Sequence, residues 1–150
     1  MSASPDPRAY PDRPILAVSA AIIRDGRVFI ARRARGPALG VWTMPGGVVE
    51  AGETLTEALV REILEETSMA IEPVALAGHR EVFVRDAEQR VERHFVILCF
   101  ASRWVSGEPV LNDELDEARW LRPAELQDLR TTEGLAPIVA AAFERMESAS

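Results

Sequence analysis

The sequence predicts a single α/β domain, and three observations carry that reading. Its 150 residues are 47% apolar and 27% charged, a globular composition at the size of one ordinary domain, enough to bury roughly two-thirds of the unfolded surface. Two apolar runs, Ile15–Ile23 and Phe95–Phe100, have the length and bulk of strands. Two other segments, near residues 55–67 and 135–146, repeat their apolar residues at helical spacing.

In chain order, Met1 to Pro14 carries four prolines among small and charged residues and is expected to be a disordered arm. The domain is placed at 15–147. Ile15–Arg24 and Val28–Arg33 form two strands around Asp25-Gly26, a strong hairpin signal. Gly36 to Gly52 reads as a loop interrupted by Val41-Trp42. A helix is expected over Leu55 to Thr67, then strands at Val74–Ala77, Glu81–Arg85 and Val91–Trp104, with a shorter one at Ala118–Leu121. Pro123–Leu129 suits a short helix with proline at its first position. A last helix covers Leu135–Met146, where Ile138, Val139, Ala142, Phe143 and Met146 share a face. No repeat and no second core is visible.

The formal charge of −7 argues against a binder of nucleic-acid polymers, which needs clustered basic residues. All 17 basic residues are arginine, so any permanently charged contact to a phosphate must come from a guanidinium, which can bind bidentately. Cys99, the single cysteine, lies inside an apolar run and reads as a small buried hydrophobe. The apolar stretch Ile15–Ile23 is too short to span a bilayer. With no targeting signal visible, a cytosolic, reducing setting is expected.

The chemistry concentrates in Pro45 to Met69. Thr54 and Glu57 have the Thr-x-x-Glu spacing of a capping box, which sets the helix start. At about 100° per residue, Leu55, Leu59, Val60, Ile63 and Leu64 sweep out an apolar side, and Glu62, Glu65 and Glu66 share an adjacent arc. Those acids stand at i, i+3 and i+4, where like charges oppose the helix, and only Arg61 is near enough in sequence to relieve them. Such a stripe suits a hard cation with oxygen ligands, and equally a solvated acidic face. The preceding loop favours the first: Gly46-Gly47 and Gly52 allow sharp turns and close approach, and Glu53 arrives at the helix start beside the stripe.

Together these residues resemble the Nudix box, Gly-x5-Glu-x7-Arg-Glu-U-x-Glu-Glu-x-Gly-U, where U is bulky and aliphatic. Gly47, Glu53, Arg61, Glu62, Ile63, Glu65, Glu66 and Met69 match in register, eight of nine defined positions over 23 residues. Ser68 replaces the final glycine; a left-handed L-residue there costs about 1–2 kcal/mol, a matter of local stability. Trp42 to Gly47 is similar to the family's approach to the box, and the likeness extends loosely from Ile15 to Leu129.

The resemblance implies a Nudix fold, a mixed β-sheet sandwiched between α-helices, and a hydrolase that cleaves a phosphoanhydride bond of a nucleoside diphosphate linked to another moiety. It implies Mg2+, with Mn2+ as an alternative, held by Glu62, Glu65, Glu66 and the Gly46 carbonyl. Glu53 and Arg61 would tie loop to helix and orient those ligands. The general base is open between Glu62, Glu66 and Glu114 of the acidic loop Leu111–Glu117. Arg33 matches a position that reaches substrate phosphates in related enzymes. Trp42 is a candidate for stacking on a base, core packing being the commoner fate of a tryptophan. The substrate stays open among nucleoside triphosphates, ADP-ribose-like molecules and nucleotide sugars. Dimers are common among such folds, and the oligomeric state is open. A module that binds a nucleotide without cleaving it is the alternative, and an isoprenoid diphosphate isomerase fits poorly because Cys99 lies in a buried strand.

Overall fold

The computed structural model describes residues 6–36 and 38–149. Its core is a seven-stranded sheet built around β1 (Ile15–Arg24), the strand predicted from the longest apolar run. The main path runs β3 (Trp42–Thr43), β2 (Arg27–Arg33), β1, β6 (Val91–Ser106), β5 (Ala70–Arg85); β4 (Gly46–Val48) also pairs with β1, and β7 (Leu115–Leu121) with β2. The β1–β6 pairing is parallel and the others are antiparallel. At the β1–β2 turn, Asp25 and Gly26 both take positive φ, 51° and 74°, the backbone a two-residue hairpin of this hand requires.

Strand alternation divides the core into two layers. Val18, Ala20 and Ile22 of β1, with Phe29 and Ala31 of β2, face α1 (Leu55–Thr67). Ala21, with Val28 and Ile30, faces α2 (Leu135–Ser148) through Leu135, Ile138, Val139 and Ala142. The sheet is thus covered by helices on both faces, which is why its central strands read as continuous apolar runs. Cys99 is buried on the α2 side and its sulfur accepts the Ser19 hydroxyl at 3.0 Å.

Several expected elements differ. Val74–Ala77 and Glu81–Arg85 are parts of one strand, β5, joined through a bulged stretch. Gly78 there sits under Ile138 of α2, 3.3 Å from where a Cβ would stand, and Pro73 is tolerated because β5 is an edge strand. The loop Gly36 to Gly52, apart from Pro37, contains β3 and β4, too short to announce themselves by alternation. Pro123–Asp128 is a 3-10 helix.

The arm expected over residues 1–14 lies partly outside the described residues. From Asp6 to Pro14 there is no helix or strand, yet Asp6 pairs with Arg93 at 2.7 Å and the Tyr10 hydroxyl donates to Asp86 at 2.9 Å. No helix among the described residues is long and apolar enough to cross a membrane.

Candidate active site

Helix α1 starts as its sequence dictates. The Thr54 hydroxyl accepts the Glu57 amide at 3.1 Å, and the Glu57 carboxylate accepts the Thr54 amide at 3.4 Å. The helix ends at Ser68 in the left-handed conformation, φ 62°. Its buried face corrects the expected one: Ala58, Leu59, Ile63 and Thr67 are buried, whereas Val60 and Leu64 are exposed. On the helical wheel Glu66 lies about 20° and Glu62 about 60° from Leu59. Turning these two acids inward rolls Val60 and Leu64 outward, so the acid stripe borders the core instead of lying on an outer face.

The inward acids line a cavity of about 600 Å³, together with Glu65, Gly46, Arg33 and Glu114. Gly46 and Gly47 are required by what presses on them. A Cβ on Gly46 would stand 2.0 Å from the Val18 carbonyl oxygen, and one on Gly47 would stand 2.2 Å from Glu62 Cδ. The glycines therefore let β4 lie flat against β1 and under the Glu62 carboxylate.

Arg61 fastens the loop to the helix. Its Nε and Nη2 donate to the two oxygens of Glu53 at 2.7 and 2.8 Å, and Nη2 also reaches the Val48 carbonyl at 3.2 Å. Its Nη1 donates to Glu62 Oε1 at 2.9 Å and Glu65 Oε2 at 3.4 Å. The Arg61 guanidinium, helped by the Glu50 amide, holds the Glu53 carboxyl down at about 2. Glu66 goes the other way. Burial, then the like charge of Glu62, pushes it to about 8, and the Gly46 amide and Arg33 only partly offset that. Glu62 is also raised by burial, against the pull of Arg61.

The donor set is all oxygen, the kind hard divalent cations take, and one oxygen of Glu62 and the Glu66 carboxylate have no ion pair among the described residues. Among the described residues no group of three or more acidic, histidine or cysteine side chains is set to hold a metal ion as it stands; Glu62 and Glu65 are both paired with Arg61. The residues fit a cation that shares its shell with substrate and water more than a fully enclosed one.

Two further segments complete the walls. The Asn112 amide donates to the Glu66 carbonyl at 3.1 Å and the Val110 amide to the Thr67 carbonyl at 2.8 Å, satisfying carbonyls left free at the helix end and bringing Glu114 to the rim. A bulge separates Arg32 from Arg33 in the β2–β7 pairing. Arg32 pairs with Asp116 and Glu117, while Arg33 joins the cavity with its Nε buried and without a hydrogen-bond partner among the described residues.

A family model described as NUDIX domain matches residues 13–142. The chain belongs to the NUDIX family. It is 34% identical over 108 residues to an ADP-ribose pyrophosphatase of Methanocaldococcus jannaschii, an alignment covering 71% of this chain and 61% of that protein. It is 33% identical over 134 residues to an RNA pyrophosphohydrolase of Novosphingobium aromaticivorans, covering 79% and 83%. Its fold is similar to the crystal structure of a MutT NUDIX hydrolase from Burkholderia pseudomallei, with TM-score 0.66, 28% identity and coverage of 89% and 98%.

Within this NUDIX domain, the expected residues fall into three groups. Glu62, Glu65, Glu66, Gly46, Glu114 and Arg33 meet at the cavity, and Glu53 with Arg61 stands behind it. Trp42 does not reach it. It is 5% exposed, packs in the α2-side core, and carries the Arg119 guanidinium 4.7 Å from its ring centroid; burying this large ring in the core outweighs leaving it free to stack. Sequence reasoning missed the remaining wall, made by Arg80, Val82 and Val84 of β5 and by Arg93, Phe95 and Ile97 of β6. Their period-two spacing on each strand was a readable signal.

Proposed function

We propose that the chain is a Mg2+-dependent hydrolase, Mn2+ being the alternative ion, that cleaves a phosphoanhydride bond in a nucleoside diphosphate linked to another moiety. A nucleoside triphosphate, an ADP-ribose-like molecule and a nucleotide sugar all belong to that class. The observation that carries the proposal is one cavity that joins the acids Glu62, Glu65 and Glu66 to the Gly46 backbone and the unpartnered Arg33. Acids alone would repel a polyphosphate and arginines alone would need no acid stripe; the combination suits an anionic substrate brought in with a cation.

Glu62, Glu65, Glu66 and the Gly46 carbonyl would hold the ion, whose chemistry there would be to lower the pKa of an attacking water and to neutralise charge on the bridging and leaving oxygens. Arg33 would take phosphate oxygens through its planar fork. Glu114 at the rim, or one of the stripe acids, would accept the proton of the attacking water. Glu53 acts at one remove, by holding Arg61, which in turn holds Glu62 and Glu65. Cys99, buried and unpaired, suits a reducing, cytosolic setting.

The test is phosphate release from a panel of nucleoside triphosphates, ADP-ribose, nucleotide sugars and dinucleoside polyphosphates, with Mg2+ and with EDTA. Phosphate is counted directly and after adding phosphatase. Metal-dependent turnover of one class is the expected result. No turnover of any compound, by a folded protein that still binds a nucleotide, would replace the hydrolase with a sensing module.

A further inference from the structure

The hydrolase reading gives no role to one part of the cavity wall, the segment Asp6–Tyr10. It is neither helix nor strand, yet it is fastened to the β5–β6 hairpin at both ends. At the first end Asp6 pairs with Arg93 at 2.7 Å while its other oxygen accepts the Arg8 amide at 2.9 Å. At the second, the Tyr10 amide donates to the Glu92 carbonyl at 2.8 Å, its hydroxyl donates to Asp86 at 2.9 Å, and the Arg90 guanidinium lies 4.9 Å from its ring centroid. Asp86 is itself fixed, accepting the Glu88 and Arg90 amides at 2.9 and 3.0 Å. Tyr10 takes φ 50°, a left-handed backbone that an L-residue keeps only where its contacts hold it.

Between these fastenings Arg8 lines the cavity alongside the acid stripe. Five arginines do so, and three are already engaged: Arg35 with Asp113 at 3.3 Å, Arg80 with the Glu133 carbonyl at 2.9 Å, and Arg93 with Asp6. The Arg8 guanidinium has no hydrogen bond or ion pair among the described residues, and its charge is felt at Glu62. With Arg33 it leaves the cavity two forks whose donors the fold does not use up.

The geometry points to Arg8 as a substrate-binding residue: the strap Asp6–Tyr10 presents its guanidinium to a phosphate of the nucleoside-diphosphate-like substrate. Tyr10 and Asp86 are positioning residues for it. The ligand's identity rests on the hydrolase reading; the strap geometry does not. Fastening at Asp6 and Tyr10 keeps the backbone of Arg8 beside the cavity, so less chain freedom is lost when its guanidinium meets a phosphate.

The experiment is calorimetric binding of methylene-bridged ADP, which is not cleaved at its bridge, in Mg2+, by the full chain and four variants. Arg8→Gln is expected to weaken binding about tenfold, the worth of a charge-assisted hydrogen bond. Arg8→Lys restores part of the loss, since it keeps the charge without the fork. Tyr10→Phe weakens binding about threefold by loosening the strap, a fraction of one hydrogen bond. In turnover both Arg8→Gln and Tyr10→Phe raise KM and leave kcat unchanged, a split that a general loss of folding does not give. Arg13→Gln, which alters an exposed arginine paired among the described residues with Asp12 alone, behaves as wild type. Wild-type protein that binds the analogue no better than Arg8→Gln overturns the role of Arg8 and leaves the hydrolase standing. Wild-type protein that neither binds the analogue nor cleaves any nucleotide overturns both.

Discussion

Two glutamates of one box, thirteen positions apart, are driven in opposite directions. Glu53 meets the Arg61 guanidinium with both oxygens and is held at about 2. Glu66 sits inside the same cavity wall as Glu62, gains little from any arginine, and is pushed to about 8 by burial and by its like-charged neighbour. The first is electrostatically complete within the fold and needs nothing from outside. The second is incomplete, and the natural completion of a buried acid beside another acid is a cation. A match to a sequence pattern weighs both alike; their surroundings separate a fastening from the proposed cation site.

That contrast breaks most visibly in turnover. Glu66→Gln keeps shape and removes a charge, so hydrolysis should fall by a factor on the order of a hundred or more, in line with losing a metal ligand or a general base. Because glutamine needs no proton taken up on folding, as the buried Glu66 does, the metal-free variant should unfold at or above the wild-type Tm. Arg61→Ala strikes both sides: it frees Glu53 and Glu62 and the Val48 carbonyl at once. Thermal unfolding should show a Tm lower by several degrees, and steady-state assays a marked loss of turnover, whereas Glu53→Gln costs less of each.

The pH dependence sharpens the same point with opposite signs. Glu66 has a raised folded value, so the metal-free fold holds an extra proton between the ordinary carboxylate range and about 8. Its contribution is fully present below that range and is lost as pH rises through about 8. Glu53 has a depressed value, so its contribution is present above the ordinary range and is lost as pH falls toward about 2. Thermal melts of the metal-free protein should therefore show Tm declining from pH 5 to pH 8, with Glu66→Gln flattening the decline. Saturating Mg2+ should flatten it too, because the ion favours the ionised acid. A Tm rising across that window in wild type would mean Glu66 is already compensated.

Much of this was legible in the chain. The capping box from Thr54 to Glu57, the turn at Asp25-Gly26 and the central apolar strands are local signals, and each appears where local chemistry puts it. The Glu53–Arg61 fastening and the meeting of Glu62, Glu66, Arg33 and Glu114 followed from a spaced pattern and its resemblance. Three things were not legible. The rotation of α1 depends on what the sheet offers its two sides, and the wheel alone could not decide whether Leu64 or Glu66 faced in. Trp42 is drawn into the core by neighbours from β7 and α2, distant in sequence. Asp6 and Arg8 sit in a proline-rich stretch held by contacts to Asp86, Arg90, Glu92 and Arg93, more than seventy residues away, and composition cannot see such contacts.

The smallest effect lies at the box's one departure. Ser68 is left-handed at φ 62°, its hydroxyl makes no hydrogen bond among the described residues, and it lies outside the cavity. Ser68→Gly should add about 1 kcal/mol of stability and raise Tm by roughly 2–4 °C, with kcat and KM unchanged. An equal or lower Tm would show that the backbone there is not strained.

The contrast between the two glutamates is tested most directly by titrating Mn2+ or Mg2+ into metal-free wild type, Glu53→Gln and Glu66→Gln and reading the binding heat. The account predicts clear binding to wild type, a modest loss in Glu53→Gln, and binding weakened beyond detection in Glu66→Gln. Equal binding by Glu66→Gln and wild type would contradict it, and would place the cation, and with it the chemistry, somewhere other than the acid stripe of α1.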